Sequence, residues 1–401
     1  MTLDNGRKLL AIPGPSVVPD RVLNAMHQPS PNIYYGPLKE MIEGMIPDLK
    51  QLAGTTGDVV FYITNGHGTW EAALSNTVAA GEKVLVLGTG PFALGWGAVA
   101  QTLGIEIEVI DFGKQSSVDI AQVETRLLAD KNNDIKAILV VQTDTSTSVR
   151  NDISALGQAI RATGHPALYM VDCMASLGTE PHFMDEWLVD VMVSGCQKGL
   201  MVPAGMGFVF LNNRAHAARR EMDRVSYYWD WAPRVAPEML YQRFAGTPPT
   251  HHLMGLREAL DMILIEEGLE NVWTRHRVFA QAIWAAVDSW GSAGRMWLNI
   301  KEPDKRSFAV TSITTSHFDG GKIRDWCENV AGVTLGIGLG MADAKSPEFE
   351  NYFRIGHMGH MNVPMILGTL GTIDAALKAL DIPHGAGALE AANHVIATAS
   401  R

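Results

Sequence analysis

The chain has 401 residues, 47% of them hydrophobic, and a net charge of -11 with no basic block. That is apolar material for a large core and two domains, and the acidic balance argues against nucleic acid or an anionic membrane as a partner. The polar start from Met1 to Lys8, the short apolar runs and three cysteines without paired or ligand-like spacing point to a cytoplasmic protein with no membrane span and no metal.

From about residue 45 to 212, short apolar strands alternate with helical stretches. The pattern predicts strands over 59–63, 83–87, 106–110, 137–141, 167–171, 189–193 and 207–211. Helices are predicted over 69–79, 93–103, 120–129 and 153–162 between them. Strands separated by such helices imply right-handed βαβ units and a mostly parallel sheet. Their continuous apolar runs imply cover on both faces. Helices over 253–267 and 271–289 then lead into a second domain. There, strands are expected over 308–313 and 352–355, helices over 322–330 and 365–380, and a last helix from about Leu389. The expected fold class is α/β: a large, mostly parallel seven-stranded domain followed by a smaller α+β C-terminal domain.

The residues after each strand carry the chemistry. Strand 59–63 runs into Thr64-Asn65-Gly66-His67-Gly68-Thr69, which opens a helix. Glycines at a helix N-terminus expose N–H groups that cradle a phosphate, although a plain capped turn has the same composition. Gly88-Thr89-Gly90-Pro91-Phe92 places an aromatic ring past a turn, where it either stacks on a planar ligand or packs in the core. Gln142-Thr143-Asp144-Thr145-Ser146-Thr147-Ser148 offers hydroxyls to a ligand or caps for the next helix. Asp172 ends a buried strand, where a carboxylate is costly unless paired; a protonated pyridine nitrogen would pair it. Lys198 follows Ser194-Gly195-Cys196-Gln197 at the end of the next strand. A lysine in a partly dry pocket can lose its proton and form a Schiff base with an aldehyde. One strand–helix–strand step separates Asp172 from Lys198, so both can face one pocket at the carboxyl edge.

With these segments, Pro13-Gly14-Pro15 and Arg354-Ile355-Gly356-His357-Met358-Gly359, the chain resembles the class V branch of fold-type I pyridoxal 5′-phosphate (PLP) enzymes. The resemblance is strongest to the alanine, serine and aspartate:glyoxylate aminotransferases. It implies that Lys198 holds PLP and moves the proton, and that Asp172 pairs with the pyridine nitrogen. It implies phosphate contacts from Asn65, Gly66, His67 and Gln197, ring stacking by Phe92, and Thr145 beside the ring hydroxyl. Thr247 is implied as a phosphate contact given by a partner subunit, so that the site forms in a homodimer, which can pair into a tetramer. Arg354 would clamp the substrate carboxylate, and Tyr35 lies on the loop that relatives place beside the substrate. The implied division is an N-terminal segment over 1–20 packing near the site, a PLP-binding domain over 21–255, and a linker helix with the small domain over 256–401. Three departures are visible: the Thr-Asn-Gly-His-Gly-Thr cup, Ser148 at a position often held by glycine, and the Asn32-Ile33-Tyr34-Tyr35-Gly36 loop.

The expected reaction is transfer of an amino group from aspartate, serine or alanine to glyoxylate, giving glycine and a 2-oxo acid. A pyridoxamine–pyruvate or 2-aminoethylphosphonate transaminase would share nearly all these residues. A cysteine desulfurase needs a mobile thiol, whereas Cys327 falls in a predicted helix. A non-enzymatic anion-binding protein would leave Lys198 without a cofactor.

Overall fold

The computed structural model describes residues 2–399. The chain passes through a short strand, β1 (Leu9–Ala11), before it builds the large sheet. That sheet contains β2 (Asp58–Tyr62), β3 (Lys83–Gly88), β4 (Glu106–Asp111), β5 (Ile135–Val141), β6 (Leu168–Asp172), β7 (Val191–Gly195) and β8 (Gly207–Leu211). The spatial order is β2-β8-β7-β6-β5-β3-β4. β8 runs antiparallel to β2 and β7, and the other pairs are parallel. The carboxyl ends of β2, β3, β5, β6 and β7 therefore share one edge.

Alternate residues serve the two faces of this sheet. Phe61, Leu85, Leu87, Ile138 and Val140 enter one core, whereas Tyr62, Val84, Val86, Ala137 and Leu139 enter the other. With both faces covered there is no solvent side for polar residues to occupy, hence the unbroken apolar runs. The helix after β2 spans Gly66–Ser75, and the Asn65 side chain caps it by accepting from the His67 N–H at 3.1 Å. That cap starts the helix earlier than its apolar pattern indicates.

The second sheet holds β9 (Met296–Leu298), β10 (Val310–Thr315), β11 (Val333–Ile337) and β12 (Tyr352–Gly356), in the order β1-β11-β12-β10-β9. β1 pairs parallel with β11, Leu9 opposite Val333, and the remaining pairs are antiparallel. The helices Leu269–Gly291, Val363–Ala379 and Ala388–Ala399 contribute to the apolar core of this sheet.

Three strands of this sheet, β1, β9 and β11, escape the sequence pattern. β1 and β9 have only three residues each. β11 is broken by Gly336, whose missing side chain is required: a Cβ there would lie 2.7 Å from Cδ of Pro13. The stretch read as one helix over 253–267 is Thr250–Asp261 followed by a π-helical turn, Met262–Glu267. Gly268, at φ 80°, then redirects the chain into the next helix.

At the opposite, amino edge of the large sheet, Asp190 is fully buried just before β7. It accepts from Arg161 Nη2 at 2.7 Å, Arg214 Nη1 at 2.7 Å, Asn212 Nδ2 at 2.9 Å and the Tyr169 N–H at 2.8 Å. Removing Asp190 leaves two partly exposed arginines, which water can serve, and the Tyr169 N–H without its acceptor. Asp190→Ala is expected to cost about 1–3 kcal/mol of stability, seen as a lower denaturation midpoint. An unchanged midpoint would contradict this account of the cluster.

Candidate active site

A cavity of about 270 Å³ opens at the carboxyl edge. Asn65, Gly66 and His67 line it at the N-terminus of the helix that follows β2. The first turn of a helix carries N–H groups without intrahelical acceptors and the positive end of the dipole. That end of the cavity suits an anion.

Asp172, the last residue of β6, is buried on the cavity wall. Its Oδ2 accepts from the Trp70 indole N–H at 2.7 Å, and its Oδ1 accepts from the Met174 N–H at 2.6 Å. Burial pushes the carboxyl up to about 6, against the pull of these donors and of Lys198. Phe92 and Met174 also line the cavity. Met174 packs against two glycines, a Cβ at Gly66 approaching its Cε at 2.7 Å and one at Gly195 its Sδ at 2.8 Å.

Lys198 lies just past the end of β7 and lines the same cavity. The segment after β1 crosses directly over it: Lys198 Nζ donates to the carbonyl of Pro13, and Ser16 Oγ donates to the Lys198 carbonyl at 2.6 Å. Gly14, at φ 101°, makes this crossing possible, since a Cβ there would lie 2.3 Å from Nζ. Burial, with help from the nearby Arg354 charge, lowers the Lys198 amine to about 8, and Asp172 opposes the change. Beside it, Gln197 lines the cavity with a buried amide oxygen that has no partner.

The loop after β5 contributes Thr143 and Thr145 to the wall. Asp144, fully buried behind them, accepts from the N–H groups of Phe92, Ser146 and Thr147 at 2.9, 2.9 and 3.3 Å. Burial raises its carboxyl to about 6, and those bonds together with Arg354 oppose the rise. Arg354 comes from β12 and is buried. Its Nε donates to the Ile337 carbonyl at 2.7 Å and its Nη1 to the Thr145 carbonyl at 2.7 Å. No carboxylate pairs with it among the described residues. Burial lowers its guanidinium to about 10, opposed by Asp144.

The structure thus gathers Lys198, Asp172, Asn65, Gly66, His67, Phe92, Gln197 and Thr145 around one cavity, with Arg354 behind Thr145. Tyr35 is 70% exposed, Thr247 is exposed on a turn, and neither lines the cavity. The sequence reading missed Trp70, Met174, Ala175 and Ala204 as wall residues. Trp70 was within reach of it, since it follows Gly66 by one helical turn and so shares that face. The other three carry no such signal.

The residues fit PLP chemically. The helix N-terminus matches a phosphate, the partnerless Gln197 amide needs a polar ligand group, and the buried carboxylate matches a ring N–H at the far wall. A buried amine of lowered basicity matches an aldehyde. Fold and site together define a PLP enzyme of fold type I. The chain belongs to the class-V aminotransferases, whose family model matches residues 39–345. It is 36% identical to a serine–glyoxylate aminotransferase of Methylorubrum extorquens, over 97% of this chain and 96% of that one. It is 32% identical to an L-aspartate–glyoxylate aminotransferase of Paracoccus denitrificans, over 96% and 95% of the two chains. The crystal structure of ureidoglycine–glyoxylate aminotransferase from Bacillus subtilis matches 98% of this chain and 99% of that one, at a TM-score of 0.87 and 25% identity. The protein is a PLP-dependent transaminase.

Two outcomes follow from the cover over Lys198. In the cofactor-free protein its amine should titrate near pH 8, followed by NMR after reductive ¹³C-methylation of the lysines; a midpoint at the ordinary 10.5 would refute its burial. Gly14→Ala should lower PLP loading and transaminase activity at least about tenfold, because a side chain is strained at φ 101° and its methyl group would crowd the Lys198 chain from Cδ to Nζ.

Proposed function

We propose that this transaminase moves the amino group of a small L-amino acid, aspartate, serine or alanine, to glyoxylate, forming glycine and the matching 2-oxo acid. The observation that carries the reading is Arg354: a buried guanidinium beside Lys198, bonded to two carbonyls and paired with no carboxylate among the described residues. A buried cation of this kind selects a substrate that brings its own carboxylate. Both an α-amino acid and glyoxylate do so, and glyoxylate adds nothing that needs further room. The names of the relatives support the same acceptor.

Bound PLP supplies an aldehyde that takes up the amino group and a ring that accepts the electron pair freed when the Cα–H bond breaks. The chain's residues perform the rest. Arg354 turns to the substrate carboxylate and fixes Cα. Lys198 takes the proton from Cα and returns it on the cofactor side; its lowered basicity gives it a neutral form near working pH. Asp172 accepts the ring N–H. The Asn65–His67 turn and Gln197 hold the phosphate, Phe92 covers the ring face, and Thr145 stands by the ring hydroxyl. The N-terminal segment at Gly14 and Pro15 keeps water from Lys198.

The working unit in this reading is a homodimer. Thr247, exposed on its own subunit, would reach the partner's cavity, Tyr35 would lie on the loop beside the substrate, and Tyr34 and Tyr227 are exposed at 56% and 81%. A cytoplasmic enzyme fits three buried free cysteines. No described helix is long and apolar enough to cross a membrane, and no described cluster could hold a metal ion.

The test is absorbance of the PLP-loaded protein as L-serine, L-alanine and L-aspartate are added in turn, followed by glyoxylate. One donor should bleach the yellow band and glyoxylate should restore it; a band that no donor bleaches would refute the substrate assignment. Arg354→Ala should raise the KM of the donor about a hundredfold or more, since a charge-assisted bidentate pair is lost. Lys198→Ala should abolish turnover while PLP still binds without a covalent link.

A further inference from the structure

Trp70 is buried, and its indole N–H donates to Asp172 Oδ2 at 2.7 Å. Both groups sit on the cavity wall with little exposure of their own, 2% for Trp70 and 3% for Asp172. The indole plane is fixed by three rings. Trp96 stacks on it with centroids 6.0 Å apart and planes 14° apart, the His67 ring meets it at 4.7 Å, and Phe92 meets it edge-on at 6.4 Å. One side chain therefore touches the helix N-terminal cup, the aromatic wall and the buried carboxylate.

A bulky core residue would need the ring only. The nitrogen argues for more, because the fold does not require its indoles to be paired: Trp96 Nε1 and Trp231 Nε1 are buried without partners. The Trp70 bond is also the charge-assisted kind, and such bonds favour the ionised acceptor. We propose that Trp70 is a positioning residue whose N–H keeps Asp172 ionised and aimed at the ring nitrogen of the cofactor. This rests on the role given to Asp172 above.

The sign of the effect is fixed. Burial already lifts the Asp172 carboxyl to about 6, and the Trp70 bond pulls it down. Without that bond the carboxyl protonates at a still higher pH, and the acceptor for a ring N–H is lost sooner on acidification.

The test uses cofactor-free protein with pyridoxamine 5′-phosphate as the probe, because it binds without a covalent bond to Lys198. Its dissociation constant is measured from about pH 8 to about pH 5 for the unaltered protein, Trp70→Phe, Trp70→His and Asp172→Asn. In Trp70→Phe the acid loss of affinity should begin about one pH unit higher, giving a Kd about tenfold weaker at the acid end than the unaltered protein. Trp70→His, which retains a ring N–H, should move the limb back. The probe's own phosphate also titrates at about pH 6 in every variant, so the shift between variants is the readout, and in an Asp172→Asn background Trp70→Phe should shift nothing. A Trp70→Phe limb that coincides with the unaltered one overturns the proposal. A shift that persists in the Asp172→Asn background overturns the role of Asp172 itself. Should Trp70→Phe fail to fold, the unaltered protein still decides: one of its ten indole N–H NMR signals should titrate with the acid limb and stop doing so in Asp172→Asn. No titrating indole signal overturns the proposal.

Discussion

The structure depends on keeping four ionisable groups, Asp144, Asp172, Lys198 and Arg354, largely out of solvent at the strand ends. Burial opposes the charge on each, and neighbours must supply what water would have given. Main-chain groups do most of this. Three amides face Asp144, one amide and one indole face Asp172, and carbonyls face Lys198 and Arg354. Such partners are fixed by the fold, so the arrangement is set before a ligand arrives.

The two edges of the large sheet use buried charge for opposite ends. At the amino edge, Asp190 is matched by two arginines and further donors, and nothing is left for a ligand. At the carboxyl edge the matching is incomplete: Arg354 has no carboxylate and the Gln197 amide oxygen has no partner. Incomplete satisfaction costs stability, and it is tolerated where binding later completes it. The loop after β5 ties the large sheet to the small one at this edge, because it reaches Phe92 through Asp144 and Arg354 through the Thr145 carbonyl.

Much of this was legible in the sequence. The large sheet could be read because strands covered on both faces have no polar alternation, and its strand ends supplied Asp172, Lys198 and the glycine-opened helix. The small sheet was harder. Its β1 and β9 are too short to show a period, and Gly336 interrupts β11 for the sake of a close backbone approach. The contact between Trp70 and Asp172 spans 102 residues and follows from packing rather than from local spacing. Arg354 could be placed on the polar side of its strand by alternation, but its burial could not. That burial arises because the loop after β5, distant in sequence, lies over the guanidinium, the Thr145 carbonyl accepting from Nη1 at 2.7 Å.

The segment that crosses Lys198 has a further consequence for how the protein is made. It is anchored by β1, whose sheet partner is β11, Leu9 lying opposite Val333. A pairing across that much sequence has a high closure cost and forms late. On the ribosome, Lys198 emerges well before β11 does, so the nascent lysine has no lid while the large sheet assembles around it. The cleft becomes a closed reaction chamber only after synthesis has passed the small sheet. A chain that stops short of β11 has no strand for β1 to join, and so lacks the anchored crossing over Lys198.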